Sequence, residues 1–159
     1  MIPEARTGNT DLFSNPVFLS AVFSLLTAQF IKAIINLFRY RSRSFRDVIG
    51  TFFWKTGGMP SSHSALAVSI ATAVGITDGT NSSIFVLALF FALVVIRDAM
   101  GVRRSSGVQA RTLNQLGKEL TNRFGMIFHP VKEVQGHSPA QVVVGSLLGF
   151  FIALAFCTL

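Results

Sequence analysis

His63 and His137 each stand at the start of an apolar, helix-length segment, in Pro60-Ser61-Ser62-His63 and Gly136-His137-Ser138-Pro139. A helix N-terminus attracts anions through its unpaired N–H groups and its dipole. An imidazole placed there can attack a phosphoryl group or protonate a leaving oxygen. A second set of polar side chains interrupts an otherwise apolar stretch: Gln29, Lys32, Asn36 and Arg39 fall at i, i+3, i+7 and i+10, one stripe on a single helix face. A Lys at mid-membrane costs about 2.5–3.5 kcal/mol on insertion scales, so this stripe is expected to face the interior of a bundle. Lys32 lies about 10 Å from Arg39 along a helix axis and can snorkel toward the same end. Asp98 follows Arg97 and precedes Gly101-Val102-Arg103-Arg104-Ser105-Ser106-Gly107. An acid at a helix C-terminus opposes the dipole, which leaves two readings for it. It forms an ion pair with Arg97, Arg103 or Arg104, or it orients a catalytic histidine as carboxylates do in triads. His129, before Pro130, has no apolar helix behind it and is read as structural. There is no HExxH, Cys cluster or tight carboxylate group, so neither a metal nor a cofactor is expected.

Composition says what solvent must surround the elements that carry these residues. The chain of 159 residues is half apolar, has sixteen Phe and only 13% charged residues, and its mean hydropathy is +0.55. A soluble domain of this size exposes too much surface for so few charges, so the natural solvent is a bilayer. The net charge of +7 is carried by residues flanking apolar spans, without a nucleic-acid-binding motif. Membrane lipids and phosphate groups are therefore the expected partners, and nucleic acid is not. The single Cys157 excludes an internal disulfide. The polar segment from Met1 to Asn15 lacks the basic region and cleavage site of a secretory signal, so no cleaved leader is expected.

The pattern predicts an all-α, integral-membrane helical bundle of about four spans with one amphipathic peripheral helix, in a single membrane domain over 1–159. The spans are expected at about 16–38, 61–77, 82–98 and 139–159. The first gives about 34 Å of helix, enough for a ~30 Å hydrocarbon core. The second is rich in Ala and Ser, which permits close packing and suggests a central position; the third, with Phe85, Phe90 and Phe91, is expected to face lipid. The fourth carries Gly145 and Gly149 with GxxxG spacing. Arg39 to Lys55 holds five Lys/Arg and Arg97 to Lys132 holds seven, so twelve of fourteen fall in two loops on one side. The positive-inside rule puts that side in the cytoplasm.

Within the second basic stretch, Val108, Leu113, Leu116, Leu120, Phe124 and Ile127 recur mostly at intervals of three and four. This predicts an amphipathic helix over about 105–124, ending near Gly125, that lies on the membrane, covers the site or packs on the bundle. In the first basic loop Thr51-Phe52-Phe53-Trp54 suits an interfacial anchor, and Thr56-Gly57-Gly58-Met59-Pro60 a turn into the second span.

These residues resemble a family. Lys32, six residues, then Arg39 looks like the first motif of the type-2 phosphatidic acid phosphatases, with Tyr40 where proline is usual. Pro60-Ser61-Ser62-His63 resembles their second motif, with Ser62 replacing glycine, and Gly136-His137-Ser138-Pro139 the end of their third. Gly57-Gly58-Met59-Pro60-Ser61-Ser62-His63-Ser64-Ala65 and Arg97-Asp98-Ala99-Met100-Gly101-Val102-Arg103-Arg104 resemble marks of the divergent branch, and the likeness covers roughly residues 25–150. The resemblance implies metal-independent hydrolysis of a lipid or polyprenyl phosphate through a phosphohistidine. In that scheme His137 is the nucleophile, His63 the acid, and Lys32 and Arg39 hold phosphate, with Ser62 beside them. The family's third motif carries an Arg before its histidine and an Asp four residues after it. Here Gln141 stands at the Asp position, so Asp98 is expected to supply the carboxylate and Arg103 or Arg104 the guanidinium. A different class stays open: a non-catalytic membrane protein that binds phosphate headgroups or supports an assembly. Self-association into a homo-oligomer is left open as well.

Overall fold

The computed structural model describes residues 11–39, 58–133 and 136–159. The basic loop beyond Arg39, with its Thr51–Trp54 segment and the start of the glycine turn, lies outside them. Among the described residues there are helices and no strand, and the chain is an all-α integral membrane protein. Pro16–Phe38, Ser83–Phe124 and Pro139–Thr158 are long and apolar enough to cross a membrane, while Ser62–Thr77 is a shorter apolar helix.

Helix α1 (Pro16–Arg39) follows a short 3₁₀ turn at Leu12–Ser14. Asn15 starts it by accepting from the N–H groups of Val17 at 2.8 Å and Phe18 at 3.3 Å. Its inner face is a stripe at every fourth residue, Ser20, Ser24, Ala28 and Lys32, all buried, while Phe23, Leu26, Phe30 and Phe38 point outward. The two buried hydroxyls donate back to carbonyls of their own helix, Ser20 to Val17 at 3.0 Å and Ser24 to Ala21 at 2.9 Å. This satisfies them where water is absent.

Helix α2 (Ser62–Thr77) is the centre of the bundle and packs on α1, α3 and α5. Ala65, Ala67, Ser69, Ala71 and Ala73 are all buried, so it shows almost no lipid-facing stripe. Its 16 residues span about 24 Å, less than a ~30 Å hydrocarbon core. Helix α3 (Ser83–Arg97) touches it through Ala88 and Ala92 against Ala67 and Ala71, and leaves Leu87, Phe90, Phe91 and Val94 exposed, as the apolar composition predicts.

Where the sequence suggests a loop and then a separate amphipathic helix, the backbone continues without a break. A π-helical turn at Asp98–Val102 joins α3 directly to α4 (Arg103–Phe124), and the Arg103 N–H bonds to the Asp98 carbonyl five residues back. Gly101 weakens a helix without ending it, so continuation keeps the backbone groups paired. Helix α4 ends at Gly125 in the left-handed region, φ 66°. The chain then returns along α4. Asn114 donates to the Val131 carbonyl at 2.9 Å and accepts from its N–H at 2.8 Å, and Arg111 pairs with Glu133 at 3.1 Å. The Phe128 ring lies where a Gly117 side chain would be.

Helix α5 (Pro139–Thr158) makes its largest contact with α2. Its buried face is Val142, Gly145, Gly149 and Ala153. A methyl group on Gly145 would collide with the Ser61 carbonyl, and one on Gly149 with the Ala65 carbonyl. The obstacle is backbone, which cannot rotate aside. Gly149→Ala is therefore expected to destabilise the bundle by about 1–3 kcal/mol, measured as a lower unfolding midpoint in detergent. A wild-type midpoint would contradict this packing.

Candidate functional site

Two backbone hydrogen bonds bring the chemistry-bearing ends together. The Ser61 N–H donates to the Gln141 carbonyl at 3.0 Å, tying the start of α2 to the first turn of α5. The His137 N–H donates to the Ala99 carbonyl at 3.1 Å, docking the segment before α5 on the π turn. Locally, Ser61 caps α2: its hydroxyl lies 3.4 Å from the Ser64 N–H and 2.9 Å from the Ser64 hydroxyl. Ser138 and Gln141 form a capping box on α5, with the Ser138 N–H donating to Gln141 Oε1 at 2.9 Å.

The result is a cavity of about 220 Å³ lined by His63, His137, Asp98 and Arg103, with Ser61 and the apolar Val94, Val95 and Ala99 completing the wall. His63, from the first turn of α2, is exposed. His137 is only 4% exposed, and among the described residues neither of its ring nitrogens has a hydrogen-bond partner. Burial first, then the positive charges of Lys32, His63 and Arg103, pushes its imidazole down from the usual range to about 4. It is therefore neutral at pH 7, and its field comes from residues of three separate helices.

The remaining residues singled out from the sequence fall as follows. Asp98 is not at a helix end. It sits in the π turn, where Arg103 Nε reaches its Oδ2 at 2.7 Å. Ion pairing with Arg103 is thus the alternative realised among the three arginines, and no hydrogen bond joins Asp98 to either histidine. Lys32 is buried at 3% exposure and packs near Gly58, and among the described residues no carboxylate pairs with it. Of the rest of its stripe, Gln29 and Asn36 are half-buried, and the Arg39 side chain lies outside the described part of the structure. Ser62 is buried and is not among the residues lining the cavity; Ser61 is. Arg104 turns instead to a second cleft, of about 390 Å³, which it lines with Arg111 and which His137 also borders. His129 is exposed and borders neither.

Sequence reasoning missed the cap on α5, although Ser138-Pro139-Ala140-Gln141 has the S-x-x-Q form of a capping box. It also missed the Arg111–Glu133 clasp, whose partners are 22 residues apart and carry no local signal.

The profile of the Divergent PAP2 family matches residues 13–152. An uncharacterized membrane protein of Bacillus subtilis strain 168, YuiD, is 35% identical over 156 residues, covering 91% of this chain and 95% of the relative. No solved structure matches the chain.

The depressed imidazole of His137 has a consequence for stability. Between pH 6.5, the ordinary histidine value, and about 4, the unfolded chain binds a proton that the folded chain refuses. Stability from this group is thus complete above pH 6.5 and is lost as pH falls toward 4. Across that window the thermal midpoint of the wild-type protein in detergent should fall more steeply than that of His137→Gln. Parallel curves would show that His137 titrates normally.

Proposed function

The chain belongs to the Divergent PAP2 family, and from that premise we propose that it is a membrane phosphatase acting on a lipid or polyprenyl phosphate through a phosphohistidine. One observation carries the reading: a buried, neutral imidazole, neither of whose nitrogens has a hydrogen-bond partner among the described residues, shares a cavity with a second, exposed imidazole and a guanidinium. A neutral, unpartnered ring nitrogen has the lone pair that nucleophilic attack requires.

In the proposed reaction, one nitrogen of His137 bonds to phosphorus as the bond from phosphorus to the ester oxygen breaks. The acid form of His63, at the solvent-open side of the cavity, gives its proton to that leaving oxygen. Water then attacks the phosphohistidine, returning a proton to His63, and the nitrogen–phosphorus bond breaks to release inorganic phosphate. Arg103 and Lys32 stabilise the charge on the equatorial oxygens, with Arg39 joining them by its place in the Lys-x6-Arg pattern. Asp98 holds Arg103 at the cavity. No metal is required by this scheme. The apolar wall from Val94 and Val95 suits a substrate whose head enters from the basic face while its tail stays in lipid, and the charge asymmetry supports a cytoplasmic side for that face.

A second reading is favoured by a specific feature: among the described residues no carboxylate hydrogen-bonds to His137, and Gln141 is engaged in the helix cap. On that reading the protein binds phosphate headgroups without turnover. The two separate cleanly. Vanadate-sensitive phosphate release from lipid phosphates should be abolished in His137→Ala and reduced about 10²–10⁴-fold in His63→Ala, and 32P should be trapped on His137. Headgroup binding by wild-type protein without release or label would establish the non-catalytic reading instead.

A further inference from the structure

The imidazole of His137 has two nitrogens, and the proposed phosphoryl transfer uses one. A neutral imidazole is one donor and one acceptor. Once the attacking nitrogen bonds to phosphorus, the other becomes a charged N–H in a site that is only 4% exposed. Such a donor is costly to leave unpaired. Among the described residues, no side chain accepts a hydrogen bond from either ring nitrogen. Gln141 Oε1 accepts from the Ser138 N–H at 2.9 Å, and the Asp98 carboxylate is held by Arg103 at 2.7 Å.

His137 borders two cavities. In the second, of about 390 Å³, Arg104 and Arg111 share the wall with Ser138 and His137, and no carboxylate is among the described lining residues. Residues 104 and 111 are seven apart on α4 and so lie on one face, about 10 Å apart along the axis. Arg104 has no ion-pair partner among the described residues. Arg111 gives its Nε to Glu133 at 3.1 Å, which leaves its terminal NH₂ groups. Two guanidinium groups and a buried imidazole donor around one space call for a compact anion with several acceptor oxygens, which is the chemistry of a phosphate group.

We infer that the Arg104–Arg111 cleft is a second anion subsite that takes a phosphate group, and that this phosphate accepts the hydrogen bond of the His137 nitrogen not used in attack. It fills the place that a buried carboxylate holds in Ser-His-Asp triads. The positioning role rests on the phosphatase reading; the binding site does not. The phosphate has two sources, the headgroup of a second lipid phosphate or a free phosphate anion; one diphosphate does not reach both nitrogens, which point away from each other across the ring.

The test uses the full chain in detergent, with inorganic phosphate and dodecyl phosphate as probes. Calorimetry with inorganic phosphate should give two phosphates per wild-type chain and one for Arg104→Gln/Arg111→Gln. Glu133→Gln, which removes the competitor for Arg111, should tighten the second site. In 15N-histidine spectra, phosphate should move the second nitrogen of His137 to a hydrogen-bonded position in wild type and not in the double variant. Two dodecyl phosphates bound per wild-type chain, and one in the double variant, mark a lipid headgroup in the second site. One dodecyl phosphate per chain, with uptake of an inorganic phosphate beside it, marks a free anion. Arg104 and Arg111 are exposed, so the variants should melt as wild type; Arg104→Gln alone serves if the double variant does not fold. One phosphate per wild-type chain, or a double variant indistinguishable from wild type, overturns the subsite. Two bound phosphates with no turnover of any lipid phosphate would keep the subsite and remove the phosphatase reading.

Discussion

The backbone contact between α5 and the start of α2 is the constraint on which the rest depends. Gly145 and Gly149 let one helix lie against the carbonyls of Ser61 and Ala65 on the other. Lipid offers no hydrophobic gain for such an approach, so dispersion between small residues and the absence of side-chain obstruction must drive it. The same contact sets the Ser61 N–H on the Gln141 carbonyl. The start of α2 and that of α5 are thereby fixed side by side, and each carries a histidine.

Small residues do this work throughout. The Ser20–Ser24–Ala28 stripe of α1, nearly all the buried residues of α2 and the Ala88–Ala92 face of α3 are Ser and Ala, while the large Phe and Leu side chains point outward. This inverts the pattern of a soluble core, where bulk is buried to remove it from water. It also leaves room for one buried cation, since Lys32 continues the Ser20–Ser24–Ala28 stripe. Burial first, and then its charge with those of His63 and Arg103, keeps His137 neutral.

The π turn has a comparable role on the other wall. Residues five apart lie on different faces of an α-helix, but a turn closed by i→i+5 bonds sets Arg103 over Asp98 and leaves the Ala99 carbonyl to receive the His137 N–H. One local distortion therefore carries the ion pair into the cavity and anchors the segment that bears the buried histidine. It also keeps α3 and α4 as a single rod, with the return segment clasped along its outer part.

What the sequence by itself determined follows from composition and short-range periodicity. Apolar runs demand a bilayer, the Ser/Ala content of residues 61–77 demands a central helix, and the glycine spacing at 145 and 149 demands a close face. The Lys32 side chain had to turn inward because lipid tolerates it poorly. Tertiary structure alone decided that Asp98 pairs with Arg103 across a π turn, that Ser61 rather than Ser62 lines the cavity, and that Arg104 faces a different cleft from Arg103. Those outcomes turn on rotations of a few tens of degrees about a helix axis and on partners far apart in the chain. Residue type and spacing specify which chemistry is present, and only packing specifies which groups share a space.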